Sequence, residues 1–172
     1  MGLTSRRKIL IGERKSLNRD ASLIVIATEG RKTEKRYFES SCFKNSRVHI
    51  KVLPSENNNS APNHVYLRIK EFCDNLQLKE DKDQFWIVLD KDRWKEATLI
   101  LIQSETRKIK RFHLRMAISN PCFEIWLYLH IRDINSRPNN CKTAERMLRE
   151  EIGAYNKSNP DMDIFCPKFN TS

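Results

Sequence analysis

Glycine is scarce in this chain, with four among 172 residues. So few leave no room for a glycine-rich phosphate loop or for glycine-punctuated repeats, and no P-loop pattern is present. The five cysteines (Cys42, Cys73, Cys122, Cys141, Cys166) are odd in number and include no CxxC pair. That argues against a disulfide framework and a zinc knuckle, and makes a reducing compartment the simpler reading. No apolar run reaches transmembrane length, and the basic N-terminus lacks a secretory apolar core and a small-residue cleavage site. The expected location is cytoplasmic, with no membrane partner. No Ser-His-Asp or Cys-His arrangement is visible. His113 and His130 have no companions at ligand spacing, and His130 is expected to cap or pack the end of its helix.

What the chain does have is positive charge. Lys and Arg number 32 against 22 Asp and Glu, a net charge of +10, and a field of that sign attracts polyanions, nucleic acid first among them. With 39% hydrophobic and 31% charged residues, the composition is that of one globular domain, which at this size hides roughly 70% of its unfolded surface.

Residues 1–20, with six basic side chains and weak periodicity, read as a basic N-terminal arm, and 21–172 as the folded domain. Leu23 to Ala27 is a continuous β-branched run, the mark of a parallel strand buried on both faces. It stops at Thr28-Glu29-Gly30, and Tyr37, Phe38 and Cys42 then suggest a helix from Lys32 to about Cys42. Val48 to Leu53 reads as a second strand. A helix begins at Pro62, where proline suits the first turn, and carries Val65, Leu67, Ile69, Phe72, Cys73 and Leu76 as a broad apolar face. Phe85 to Leu89 is the clearest strand and runs into Asp90-Lys91-Asp92. A helix from Lys95 to Lys108, a strand from Leu114 to Ile118, and a helix opened by Asn120 as cap and Pro121 at its first position follow. That last helix, CFEIWLYLHI, is apolar nearly all round and is expected to be buried. A final amphipathic helix spans Thr143 to Ile152 and stops at Gly153; beyond it no element is clear. The alternation predicts an α/β fold: a single three-layer Rossmannoid domain with a mainly parallel central sheet.

In such sheets ligands bind outside the carboxyl ends of the strands, and this sorts the acids. Glu29 follows the first strand, and Asp90 and Asp92 follow the third. The Asp81-Lys82-Asp83 triplet has the same spacing but precedes its strand, so it belongs at the opposite edge as a solvated turn. Residues i and i+2 of an extended segment face one side, so Asp90 and Asp92 can address one ligand with Lys91 turned away. Like carboxylates placed together call for a cation, and oxygen donors suit Mg²⁺ or Mn²⁺. A DxD in a chain this charged also arises by chance; its position after the most apolar strand, matched by Glu29, favours metal binding. Arg31, Lys32, Lys35 and Arg36 either cradle phosphate or form a solvated face. Glu124, at the start of an apolar helix, has two readings: a carboxylate placed for the helix dipole, or a fourth acid at the metal edge. Phe123, Trp126 and Tyr128 read as core.

A Glu in a strand-to-helix turn followed by a DxD after an apolar strand resembles the TOPRIM domain of topoisomerases, primases and OLD-type nucleases. The blocks IVIATEGRKTEKRYFE (24–39), FWIVLDKD (85–92) and AISNPCFEIWLYLH (117–130) together resemble the RloB-like family, TOPRIM-type proteins of bacterial anti-phage abortive-infection systems, over about residues 21–160. The resemblance implies that Glu29 matches the first acid of the family, Asp90 and Asp92 its metal-binding pair, and Glu124 the acid of its SNPCFE block. It further implies a TOPRIM-like fold and an effector nuclease working beside a partner ATPase of the ABC/AAA type. Members often extend further at the C-terminus, so a final helix is expected to lie beyond this sequence.

The expected activity is therefore metal-dependent hydrolysis of phosphodiester bonds in DNA or RNA. Asp90 and Asp92 would hold the metal, Glu29 would serve the attacking water or a second ion, and Glu124 would assist. Lys91, Arg107, Lys108, Lys110 and Arg111 join the 31–36 cluster as candidate contacts to the nucleic-acid backbone. Two rivals stand beside it: a non-catalytic TOPRIM-like module that binds nucleic acid or a partner ATPase, and a phosphotransfer domain of the receiver kind, which the paired DxD fits less well.

Overall fold

The computed structural model describes residues 21–55, 59–76, 82–157 and 161–166; the basic arm 1–20 lies outside them. Four strands, β1 (Ser22–Thr28), β2 (Val48–Leu53), β3 (Gln84–Asp90) and β4 (Leu114–Ser119), form an all-parallel sheet in the order β2-β1-β3-β4. Five helices connect or follow them: α1 (Thr33–Phe38), α2 (Pro62–Asp74), α3 (Glu96–Lys108), α4 (Glu124–Leu129) and α5 (Cys141–Ile152).

Side-chain alternation along the strands divides the core in two. Val25 and Ala27 of β1 and Phe85, Ile87 and Leu89 of β3 point toward α2 and α3, where Val65, Ile69, Cys73, Leu99 and Ile102 meet them. Ile26 and Val88 point the other way, toward Tyr37, Phe123, Leu127, Leu148 and Phe165. A strand apolar on both faces can be stable only between two helical layers, so the run Leu23 to Ala27 dictates a three-layer Rossmannoid arrangement. On α2 the fully buried Val65, Ile69 and Cys73 recur every four residues, and each large side chain so buried contributes roughly 1.5–3 kcal/mol.

The order β2-β1-β3 means that the chain leaves β1 through α1 toward one side of the sheet and passes through α2 back to the other. The reversal falls between β1 and β3, which pair in register from Ile24↔Gln84 to Thr28↔Val88. Their carboxyl ends therefore flank the crevice where α/β sheets take their ligands. At the amino edge Asp83, half-buried rather than solvated, accepts a hydrogen bond from the Leu23 amide (3.0 Å) and pins the two strands together. Asp81 lies outside the described residues.

Several elements differ from expectation. Helix α1 ends at Phe38, and a separate 3-10 turn, Ser41–Phe43, follows; Phe43 folds back edge-on to Tyr37, with ring centroids 5.1 Å apart. Helix α4 begins at Glu124, and Asn120 does not cap it. The Asn120-Pro121 peptide is cis, and the Pro121 carbonyl accepts hydrogen bonds from the Lys91 and Asp92 amides, both 3.1 Å; the segment holds the DxD loop instead of starting a helix. Nor is α4 wholly covered: Trp126 and Leu129 are each 47% exposed, beside an apolar cleft on the free β4 side of the sheet. Beyond α5, which Asn140 caps (Thr143 N to Oδ1, 2.9 Å) and Gly153 ends at φ +77°, the chain makes a 3-10 turn, Asp163–Phe165, whose Phe165 is buried. A Cys42–Cys166 disulfide joins this turn to the segment after α1, with Cα atoms 5.4 Å apart. The expectation of unpaired cysteines thus fails for this pair, because pairing follows proximity across 124 residues and not local spacing. Cys73, Cys122 and Cys141 are free. Among the described residues no helix is long and apolar enough to cross a membrane.

Candidate metal and catalytic centre

At the β1–β3 crevice the chain buries acids that it could have left in water. Glu29 directly follows β1; its amide donates to the Val88 carbonyl (3.1 Å), so pairing with β3 fixes where it sits. Its carboxylate accepts from the Asp90 amide (3.1 Å) and from the Trp94 indole (3.0 Å to each oxygen). Burial raises its pKa in spite of these hydrogen bonds.

Asp90 ends β3 opposite Ser119 of β4. Burial, and then the charges of Glu34, Glu29, Glu124 and Asp92, push its pKa up to about 9. Four acids that each oppose its ionisation identify one electrostatic cluster. Asp92 lies two residues on, held by the Pro121 carbonyl through its amide. Its carboxylate accepts from the Cys141 thiol (3.1 Å) and stands 3.8 Å from Arg93 Nε. Lys91 and Asp92 are both exposed and lie in a bend and turn beyond the end of β3, so the strand alternation expected to turn Lys91 away from the two aspartates does not extend to this segment.

Glu124 is the most buried acid, 1% exposed. One of its oxygens meets Lys157 Nζ (2.9 Å) and the Tyr155 hydroxyl (3.3 Å), while Oε2 has no partner. Lys157 also reaches Glu145 (3.0 Å). Burial alone would lower the Lys157 pKa, but the charges and hydrogen bonds of Glu124 and Glu145 outweigh it and raise it. The Glu124 charge acts on Asp90 and Glu34, and Lys157, from near the end of the chain, meets it.

Sequence reasoning missed Glu34. It lies on the inner face of α1, buried, and accepts the Gly30 amide (3.0 Å). Burial, reinforced by Glu124, raises its pKa. This explains Gly30 better than a turn does, since a Cβ there would overlap the Glu34 carboxylate. The missed signal was that Glu34 precedes Tyr37 and Phe38 by three and four residues and so shares their apolar face; the flanking Lys32, Lys35 and Arg36 masked it. Tyr155 and Lys157 had no comparable signal, because their segment has no periodicity.

The basic residues separate into two groups. Arg31 and Lys32 are exposed on the loop between Glu29 and Glu34, beside the acids; Lys35 is turned to Glu39 (3.7 Å), and Arg36 is exposed on the same short helix. Arg107, Lys108, Lys110 and Arg111 are not brought to the acids: α3 runs back along the sheet, so its end lies at the amino edge. There Arg111 donates to the Asp74 and Leu76 carbonyls (3.0 and 2.6 Å) at the end of α2, and Lys108 pairs with Glu105 (2.6 Å).

Fold and site together define a class: a parallel Rossmannoid α/β domain with a buried carboxylate cluster at its topological switch point. Within that class, the family model described as RloB-like protein matches residues 24–168, and the chain belongs to that family. No curated protein and no solved structure matches the chain.

Proposed function

We propose that the protein is a metal-dependent nuclease of the TOPRIM type that hydrolyses phosphodiester bonds in DNA or RNA. In this reading it works in the cytoplasm as the effector of an anti-phage abortive-infection system, beside a partner ATPase of the ABC/AAA type. The observation that carries the reading is the carboxylate cluster, in which Asp90 is held largely neutral by burial and by four neighbouring acids. A protein gains nothing in stability from such crowding; a divalent cation removes the repulsion, and hard oxygen donors suit Mg²⁺ or Mn²⁺. The donor chemistry suits it: Asp90, Asp92 and Glu29 would hold the ion, with Glu34 and the unpartnered Glu124 Oε2 as further oxygens, and since no three of these acids bring ligand atoms within 4.8 Å of one another, they would have to draw together around it. A bound divalent cation would supply charge neutralisation for the scissile phosphate.

The chain supplies the rest. Glu29, oriented by Trp94 and by the Asp90 amide, would alternatively accept a proton from the attacking water. Lys157 compensates the buried Glu124 charge from the solvent side. Arg31 and Lys32 meet the phosphate backbone next to the cluster, giving binding that weakens with salt. The test is an assay of the full chain, alone and with its ATPase partner, on plasmid, single-stranded DNA and tRNA with Mg²⁺ or Mn²⁺. Cleavage should require the metal and vanish in Asp90→Ala and Asp92→Ala; cleavage that survives both substitutions sinks the assignment.

The exposed Trp126 and Leu129 beside the apolar cleft favour a second reading, a non-catalytic module that docks on the ATPase. It predicts complex formation unaffected by chelator or by Asp90→Asn, with no cleavage under any condition.

A further inference from the structure

Away from the acidic cluster, three potential ligands meet where the C-terminal segment crosses the end of α1. Cys42, Asp163 and Cys166 offer ligand atoms that all lie within 4.8 Å of one another. Asp163 opens the 3-10 turn and Cys166 closes it, its amide donating to the Asp163 carbonyl (3.3 Å). In a 3-10 helix residues i and i+3 eclipse, so the carboxylate and the thiol project from one side. Cys42 lies in the other 3-10 turn, and its neighbour Ser41 donates through Oγ to Asp163 Oδ1 (2.9 Å). That bond orients the carboxylate, as a supporting hydrogen bond does for a metal ligand. The turn is seated by the buried Phe165 and Met162, so the three groups are presented on packed backbone.

We infer that, when the Cys42–Cys166 bond is reduced, Cys42, Cys166 and Asp163 bind one zinc ion. Reduction by a dithiol breaks the S–S bond: two electrons pass to the protein sulfurs, the dithiol becomes a disulfide, and two protein thiols remain. Zinc binding then releases both thiol protons to solvent. Two thiolates and a carboxylate are a three-ligand zinc set with one position for water, and tetrahedral geometry with Zn–S near 2.3 Å needs the sulfurs roughly 3.8 Å apart. Two short turns can supply that adjustment without moving the core. Soft sulfur donors discriminate against Mg²⁺, so this site is chemically distinct from the acidic cluster. Its consequence is mechanical. The turn Asp163–Phe165 with Cys166, which follows the lysine that meets Glu124, stays joined to the turn Ser41–Phe43 under reducing as well as oxidising conditions.

The full chain, reduced and freed of metal, is titrated with Co²⁺ and then with Zn²⁺. One equivalent of Co²⁺ should give a thiolate-to-cobalt charge-transfer band that Zn²⁺ abolishes, and the band should be lost in Cys42→Ser and in Cys166→Ser. Asp163→Asn, which keeps both thiols, should weaken zinc binding at least tenfold. Absence of the band, or a band that persists in the Cys42→Ser/Cys166→Ser protein and so arises from Cys122 and Cys141, overturns the inference. If circular dichroism shows the serine variants unfolded, Asp163→Asn decides, and unchanged zinc affinity in that variant overturns it.

Discussion

Asp90→Asn should stabilise the metal-free protein, an unusual outcome for a buried polar residue. The Asp90 carboxyl has an ordinary pKa near 3.8 and is pushed up to about 9 in the fold by burial and by Glu34, Glu29, Glu124 and Asp92. Between those values the folded state holds a proton that the unfolded state has released, so stability falls as pH rises through that window. At neutral pH the gap spans about three units, which at 1.36 kcal/mol each sets a ceiling of about 4 kcal/mol. The acids share their protons as a coupled group, so a gain of about 2 kcal/mol is expected. For a domain of this size that corresponds to about 4–8 °C in Tm. Asparagine keeps the shape and removes the charge. Thermal melts with chelator should therefore place the variant above wild type at pH 8, with the difference shrinking as pH falls and vanishing only below the unfolded-state pKa near 3.8, where both states become protonated. Adding Mg²⁺ at pH 8 should raise the wild-type Tm and leave the variant unmoved. A variant no more stable than wild type at pH 8, or a gain that does not decline toward pH 4, would rule out a charge penalty at Asp90.

Three further outcomes follow from the same geometry. Lys157→Met strands the Glu124 charge at a site 1% exposed and, since Lys157 is itself 55% exposed, should cost roughly 2 kcal/mol; in the Glu124→Gln background the same change should cost far less, and additive losses in a double-mutant cycle would remove the pair from the account. Gly30→Ala drives a methyl into the Glu34 carboxylate and should destabilise by roughly 1–3 kcal/mol, measured by urea unfolding. Arg31→Ala should weaken nucleic-acid binding and reduce its salt slope by about one, whereas Arg111→Ala, at the opposite edge, should leave both unchanged in a filter-binding titration.

β1 and β3 were legible because the middle strands of a parallel sheet, buried on both faces, demand unbroken apolar runs, and β2 and β4 by their shorter apolar stretches between turn signals: all four lie within about a residue of the expected bounds. Glu29 and Asp90 were legible for a related reason, since acids placed directly after such runs must lie at a strand end. Three things were not legible. The start of α4 was misread because an Asn-Pro pair suits a helix start and a loop equally well, and only the carbonyl contacts to Lys91 and Asp92 decide between them. Glu34 was hidden among cations, its burial depending on which way a six-residue helix faces. How far the basic run after α3 lies from the acids was hidden as well, since only the direction of α3 puts it at the other edge.

The order of strands and helices, the two apolar layers and the edge on which the DxD lies were determined by the sequence alone, because they follow from periodicity and from the direction of the chain. The convergence of Glu34 and Glu124 with Glu29 and Asp90, the arrival of Lys157 and the pairing of Cys42 with Cys166 were decided only by the tertiary structure. Each joins segments that local pattern treats separately, and a charge has no buried environment until distant parts of the chain have closed around it.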